Sequence, residues 1–251
     1  MNLTESRIII TGCARGLGRA MAERLAGHGA RLGLIDLNSQ ALETCLAGLP
    51  GTGHAIAAAD ISDEQQVEQA FDQLLDALGG LDVLVNNAGI TRDGLTVKAR
   101  DGEVESRLTL SDWQAVLNVN LTGTFLCGRR AAEAMISAGR GGLVINVSSI
   151  SKAGNFGQSN YSAAKAGVQA LAVCWAREWA RHGIRAVSLS PGFTRTEMVA
   201  AMPAKAIERI SAQIPRGRLA EADEMASAVQ FLIENDYFNG RDLAVDGGLR
   251  L

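Results

Sequence analysis

Apolar and polar positions alternate in blocks from one end of the chain to the other. Short β-branched or aliphatic runs predict strands at Arg7–Ile10, Arg31–Ile35, His54–Ala59, Asp82–Val85, Gly142–Val147, Arg185–Leu189 and Asp242–Val245. Between them, apolar residues recur three and four apart, the period of a helix with one buried face. Helices are predicted over Gly18–Ala26, Ser39–Leu46, from Ser62 through Leu78, from Ser111 to about Ile136, from Tyr161 to about Arg181, more loosely from Met198 to Ala212, and over Glu221–Ile233. Ser62 with Gln65 and Ser111 with Gln114 read as the capping signals of two of them. In the helix bearing Tyr161 the stripe Val168, Leu171, Ala172, Trp175 and Trp179 reads as core or subunit interface.

Strand and helix in strict alternation predict an α/β fold: a Rossmann-like, doubly wound parallel sheet of about seven strands with helices on both faces. No linker, repeat or low-complexity tract interrupts the pattern, so a single domain over residues 1–251 is expected. In such sheets ligands bind at the carboxyl ends of the strands, where strand order reverses. Asp36, Asp60, Asn86–Gly89, Ser148–Ser149 and Pro191–Gly192 all fall at those ends.

Composition narrows the function. A net charge of −3, with no basic run, argues against nucleic acid. No apolar stretch approaches the roughly 20 residues that span a bilayer, so no membrane partner is expected. The first residues lack a signal-peptide layout, and Cys13, Cys45, Cys127 and Cys174 are scattered without metal-like spacing. A reducing, cytoplasmic setting and no metal site are the expectation. His28, His54 and His182 lie far apart and form no ligand set.

Two motifs carry chemistry. Thr11-Gly12-Cys13-Ala14-Arg15-Gly16-Leu17-Gly18 follows the first strand and opens the first helix. Glycines let backbone approach a pyrophosphate, and the helix N-terminus favours its charge. Asp36, ending the second strand, is placed to accept hydrogen bonds from ribose hydroxyls and to repel a 2′-phosphate. Leu37 follows it rather than a base, which favours NAD(H); Arg15 in the glycine loop argues for NADP(H), which stays open. Asp60 and Ile61 end the third strand where an adenine would lie. The second motif is Tyr161-Ser162-Ala163-Ala164-Lys165. The four-residue spacing stacks phenol and ammonium on one helix face. An ammonium there is expected to lower the phenol's pKa from its reference of about 10.

Gly12–Gly18, Asn86-Asn87-Ala88-Gly89, Asn120, Ser148-Ser149, Tyr161 with Lys165, and Pro191-Gly192 occur in the order found in the short-chain dehydrogenase/reductase superfamily. The chain resembles that superfamily over essentially its whole length. The stretch Gly154–Tyr161 and the tail Asp246-Gly247-Gly248 are most similar to its β-ketoacyl-acyl-carrier-protein reductase branch. The resemblance implies hydride transfer between a nicotinamide and a carbonyl or secondary alcohol. It implies that Tyr161 is the general acid or base, that Lys165 binds the nicotinamide ribose, and that a serine binds the substrate oxygen. Asn120 would bend its helix and hold a water in a proton relay with Lys165. Gly12, Arg15, Gly16, Leu17, Gly18, Asp36, Asp60, Ile61, Asn87, Ala88, Gly89, Pro191, Gly192, Thr194 and Thr196 would line the cofactor, with Tyr161 and Lys165.

The sequence departs from the branch in three places. The family spacing of thirteen residues before the tyrosine selects Ser148, whereas strand register selects Ser149, which is favoured because the following loop is one residue short. Lys98–Ser106 is a polar insertion whose Arg100-Asp101-Gly102-Glu103 reads as a hairpin turn. His182 stands where a carrier-protein reductase would have an arginine, although Arg140 keeps the other basic position. The preferred substrate is a β-ketoacyl thioester; another small alcohol, sugar or sterol is the alternative, and a non-catalytic cofactor-binding regulator the remote one. The family implies a homotetramer built on the long helices and the last strand.

Overall fold

The computed structural model describes residues 1–200 and 204–251. Seven strands form one parallel sheet: β1 (Arg7–Thr11), β2 (Arg31–Asp36), β3 (Ala55–Ala58), β4 (Val83–Asn86), β5 (Gly142–Val147), β6 (Ile184–Pro191) and β7 (Asp242–Val245). Their order is β3-β2-β1-β4-β5-β6-β7, so the direction of winding reverses between β1 and β4. That reversal opens a crevice at the strands' carboxyl ends, the place such sheets use for ligands.

Both faces of the sheet are buried because successive side chains point to opposite sides. On one face Ile8, Ile10, Leu32, Leu34, Val85, Ile145 and Leu189 pack on Met21, Leu25, Val229 and Leu232. These come from helix α1 (Gly16–Gly27) and, beside it on the same face, the helix Ala222–Glu234. On the other face Ile9, Leu84, Val144 and Ala186 meet Phe71, Leu74, Cys127, Met135 and Trp175. Ile8, Ile9 and Ile10 are fully buried, and each such side chain contributes about 1.5–3 kcal/mol over its exposed state. Trp175 stacks on Trp179 with centroids 4.8 Å apart, so the tryptophan stripe belongs to the core.

Two helix starts differ from the sequence expectation. Helix α3 (Glu64–Leu78), which follows α2 (Ser39–Ala47), is capped by Asp63, whose carboxylate accepts from the Gln66 amide at 3.0 Å. The Ser62 hydroxyl instead donates to Asp60 at 2.7 Å, so the preceding turn has taken it. Thr109, not Ser111, caps α4 (Leu110–Leu117), accepting from the Asp112 amide at 3.0 Å. The helix expected from Ser111 to Ile136 is interrupted: a wide π-helical turn, Asn118–Gly123, joins α4 to α5 (Thr124–Ala138). Such turns bulge a helix locally.

Helix α6 (Ser159–Glu178) carries Tyr161 and Lys165; a 3₁₀ turn, Ala180–His182, extends it to the expected end. The loose helix near Met198–Ala212 is two helices, Glu197–Ala200 and Ala204–Gln213; residues 201–203 of that prediction lie outside the described residues. The insertion forms an antiparallel hairpin, Val97–Arg100 with Glu103–Arg107, exposed along its length. Asp101 and Gly102 both have positive φ, 51° and 86°, the requirement of a two-residue turn matched to strand twist. Its base is tied to α6 by a 2.9 Å contact between the hydroxyls of Thr96 and Ser159.

Candidate active site

The glycine turn sits at the winding reversal. Gly12 has φ of +65°, and a Cβ there would stand 2.6 Å from the Ala88 Cα. Only glycine lets the ends of β1 and β4 lie this close. Asn87 locks them together, its amide nitrogen donating to the carbonyls of Thr11 at 3.1 Å and Gly12 at 2.8 Å. The Thr11 hydroxyl accepts from the amides of Asn87 and Ala88, both at 3.1 Å. Helix α1 then starts with Gly16, Leu17 and buried Gly18. Arg15, just before it, makes no capping hydrogen bond, and no acid sits in the first turn. Beyond Gly16, which also has positive φ, nothing lies within 4 Å of where a Cβ would be. An open, uncapped helix N-terminus behind a glycine turn fits the pyrophosphate of a dinucleotide.

Asp36 ends β2 beside this turn. One carboxylate oxygen accepts from the Ala14 amide at 3.1 Å and the other from the Asn38 amide at 3.3 Å. The carboxylate thus helps to hold the glycine loop, and it remains half-buried at the crevice. Asp60 accepts from the amide and hydroxyl of Ser62. Ile61 is buried, and a Cβ on Gly123 would lie 2.8 Å from its side chain. The Ile61 side chain therefore packs under the π-helical turn, and its carbonyl oxygen lies beside the same glycine, 3.0 Å from where a Cβ would be.

Tyr161 and Lys165 rise from the first turns of α6, one above the other. The Lys165 Nζ lies 5.5 Å from the centre of the Tyr161 ring and donates to the Val147 carbonyl at 2.7 Å. Lys165 is buried, which pulls its pKa down to about 8. Tyr161 departs from expectation. Desolvation pushes its phenol up, the Asp93 carboxylate adds to that, and only a hydrogen-bonding contact from Ser149 opposes it. Desolvation sets the direction, so this phenol holds its proton more firmly than a free one.

The two serines separate cleanly. Ser148 is buried and donates its hydroxyl to the Lys165 carbonyl at 2.7 Å. Ser149 is half-buried, points towards Tyr161, and accepts from the Ser151 amide at 3.1 Å. Asn120, fully buried in the π-helical turn, grips Ile90 at both ends: its oxygen accepts from the Ile90 amide at 2.8 Å and its nitrogen donates to the Ile90 carbonyl at 2.9 Å. A Cβ on Gly89 would stand 3.3 Å from the Asn120 side-chain oxygen and 3.5 Å from the Lys165 Nζ. Gly89 thus lets Asn120 and Lys165 converge on the same opening. Pro191 closes β6, and the Gly192 amide donates to the Val245 carbonyl at 2.9 Å. Thr194 is buried with its hydroxyl on the Gly192 carbonyl at 3.1 Å; Thr196 is half-buried just beyond.

Sequence reading missed several members of the cleft. Asp93 faces Tyr161 and accepts from Gln158 at 3.0 Å; Gln158 in turn accepts from Asn155 at 2.9 Å and Ser151 at 3.1 Å. For Ser151, Asn155 and Gln158 the one signal was polarity just before Tyr161, which surface loops share; Asp93, on a distant loop, had none. Among the described residues, no His, Cys, Asp and Glu cluster could hold a metal, and no helix is long and apolar enough to cross a membrane.

A dinucleotide cradle and a tyrosine–lysine pair at the carboxyl edge of a β3-β2-β1-β4-β5-β6-β7 sheet define a nicotinamide-dependent oxidoreductase. The chain belongs to the short-chain dehydrogenase/reductase superfamily, near its ketoacyl reductase branch. The family model described as enoyl-(acyl carrier protein) reductase matches residues 12–250. The rat (Rattus norvegicus) (3R)-3-hydroxyacyl-CoA dehydrogenase is 38% identical over 99% of this chain and 98% of its own. The Thermotoga maritima 3-oxoacyl-(acyl-carrier-protein) reductase FabG is 37% identical over 99% of each. The crystal structure of levodione reductase superimposes with a TM-score of 0.86 at 34% identity, covering 98% of this chain and 97% of that one. The chain is an enzyme acting on CH–OH groups.

Proposed function

We propose that this single-domain enzyme interconverts a β-ketoacyl thioester and the corresponding 3-hydroxyacyl thioester, with NAD(H) as the preferred cofactor. The observation that carries the chemistry is the convergence of Ser149, Tyr161 and Lys165 on one opening. When bound, the nicotinamide supplies or accepts the hydride. In reduction, the Ser149 hydroxyl donates a hydrogen bond to the substrate oxygen and Tyr161 delivers its proton there as negative charge develops. Lys165, whose ammonium titrates near 8, is the group best placed to hold charge behind the phenol and to return a proton. Asn120 holds Ile90, just after the Asn-Asn-Ala-Gly turn, in place, and with Lys165 would border the nicotinamide ribose.

The thioester class is favoured by the relatives whose names specify 3-hydroxyacyl-CoA and 3-oxoacyl substrates. Asp36 favours NAD(H), because a second negative charge beside it would be repelled. The likeness to levodione reductase favours a second reading, reduction of a small ketone. A homotetramer is part of the proposal, and light scattering on the purified protein tests it; a monomer would remove it.

The deciding experiment is oxidation of NADH and of NADPH with acetoacetyl-CoA. Turnover with NADH preferred supports both the substrate class and the reading of Asp36. No turnover, with intact cofactor binding, moves the assignment to a small ketone or alcohol. Tyr161→Phe should abolish turnover and leave NADH affinity unchanged, which separates an enzyme from a cofactor-binding regulator.

A further inference from the structure

The face of β6 that looks towards α6 changes character along its length. Ile184 and Ala186 are apolar and buried, whereas Ser188 and Ser190, two and four residues further on, are equally buried but polar. The change coincides with the arrival of a charged side chain from elsewhere. Lys152, on the short 3₁₀ turn Ile150–Ala153 after Ser149, reaches down to the sheet and pairs with Asp242, the first residue of β7. Its ammonium also donates to the Ser190 hydroxyl at 2.9 Å. The other Asp242 oxygen accepts from Ser188 at 2.7 Å and Ser190 at 2.8 Å. Lys152 is 20% exposed and Asp242 10%.

We infer that Lys152 is a positioning residue, and that its bonds to Asp242 and Ser190 fix the turn that aims Ser149 at the substrate oxygen. Three features support this. A mostly buried ion pair is no more stabilising than apolar side chains of the same size, so stability alone gives no reason for polar residues here. The network joins three strand ends: the turn after β5, the end of β6 just before Pro191-Gly192, and the start of β7. Within the turn the bonds are Ser151 amide to Ser149 hydroxyl at 3.1 Å, Lys152 amide to Ser149 carbonyl at 3.1 Å, and Gly154 amide to Ser151 carbonyl at 3.0 Å. The Ser151 hydroxyl ties it to Gln158 at the start of α6 at 3.1 Å. None of these four bonds reaches the sheet; those of Lys152 do.

The inference rests on the reading of Ser149 given above, so the test reads geometry as well as turnover. The variants are Lys152→Met, Lys152→Arg, Asp242→Asn and Ser190→Ala. Each is assayed for kcat and KM with NADH and acetoacetyl-CoA, for NADH affinity, and for amide hydrogen exchange in peptides spanning residues 148–158 and 159–178. Lys152→Met should lower kcat at least about ten-fold, the cost of sub-ångström misplacement of a reacting group, with NADH affinity within about two-fold. Exchange should speed up in the turn and stay unchanged in α6. Lys152→Arg should recover most of kcat and the protected turn. Parental kcat and parental exchange in Lys152→Met would overturn the inference. So would a loss of NADH affinity as large as the loss of kcat, which marks a general scaffold. Where acetoacetyl-CoA is not turned over by the parent, the substrate reading fails and the exchange data alone decide the inference. Where Lys152→Met does not fold, Ser190→Ala removes one bond of the network and decides it by the same readouts.

Discussion

The Ser148 hydroxyl donates a 2.7 Å hydrogen bond to the main-chain carbonyl of Lys165. That bond ties the end of β5 to α6 and leaves Ser148 no donor for a substrate, because a hydroxyl has a single proton to give. Ser149, the next residue, faces Tyr161. Ser149→Ala should therefore lower kcat by about 10²–10³, the usual effect of deleting one donor to a developing oxyanion. Ser148→Ala should instead lower stability by about 0.5–1.5 kcal/mol by removing the buried bond between β5 and α6, with a smaller change in kcat. Steady-state kinetics and urea melts on the two variants check this; the reverse ranking in kcat would transfer the substrate role to Ser148.

Lys165 makes stability depend on pH in a defined direction. Burial lowers its pKa from 10.5 to about 8, so between those values the unfolded chain holds a proton that the folded one has released. Stability contributed here rises with pH through that window, and at neutral pH the buried charge costs about 3 kcal/mol. Lys165→Met should thus be more stable than the parent at pH 7, by up to that amount, while losing turnover. The advantage should shrink as pH rises past 8 and disappear near 10.5. Urea melts of cofactor-free protein at pH 7 and pH 10 measure the difference, and an advantage that grows with pH would contradict it.

Much of the architecture was legible because the signals are local. Short β-branched runs ending at Thr11-Gly12, Asp36, Asn86 and Pro191 marked strand ends, and alternation then implied a parallel sheet with its site at those ends. Tyr161 and Lys165 were legible because four residues on a helix fix their relation. What stayed hidden depends on distant partners. Ser62 and Thr109 differ as caps only through their neighbours Asp60 and Asp112. Lys152 and Asp242 lie 90 residues apart, and nothing local distinguishes either from a surface charge. The raised pKa of Tyr161 depends on how deeply the cleft encloses it, which no spacing encodes.

Asp36 has two tasks that a substitution can separate. Its carboxylate accepts from the Ala14 amide at 3.1 Å, which holds the glycine loop, and its charge faces the crevice. Asp36→Asn keeps an acceptor for the loop and removes the charge. The NADPH/NADH ratio of kcat/KM should rise about ten-fold or more, with Tm close to the parent's. Asp36→Ala should raise the ratio too but lower Tm, since the Ala14 amide loses its partner. An unchanged ratio in Asp36→Asn would mean that Arg15 or another group sets cofactor choice.

The contact between α5 and α6 depends on Gly128. A Cβ there would fall 2.3 Å from the Trp175 ring. Two effects of Gly128→Ala oppose each other. Alanine in a helix interior is favoured over glycine by about 1 kcal/mol, while overpacking a core contact costs about 1–3 kcal/mol. Trp175 is stacked on Trp179 and buried, so it cannot swing aside, and the cost should sit at the upper end. The net expectation is destabilisation by about 2 kcal/mol, or roughly 4–8 °C in Tm for a chain of this size. Trp175→Phe in the same background should recover part of the loss, because the smaller ring makes room for the methyl. Calorimetry on the two variants decides it: Gly128→Ala with a Tm at or above the parent's would show that α5 and α6 can separate, and that the helix propensity of alanine outweighs their close contact.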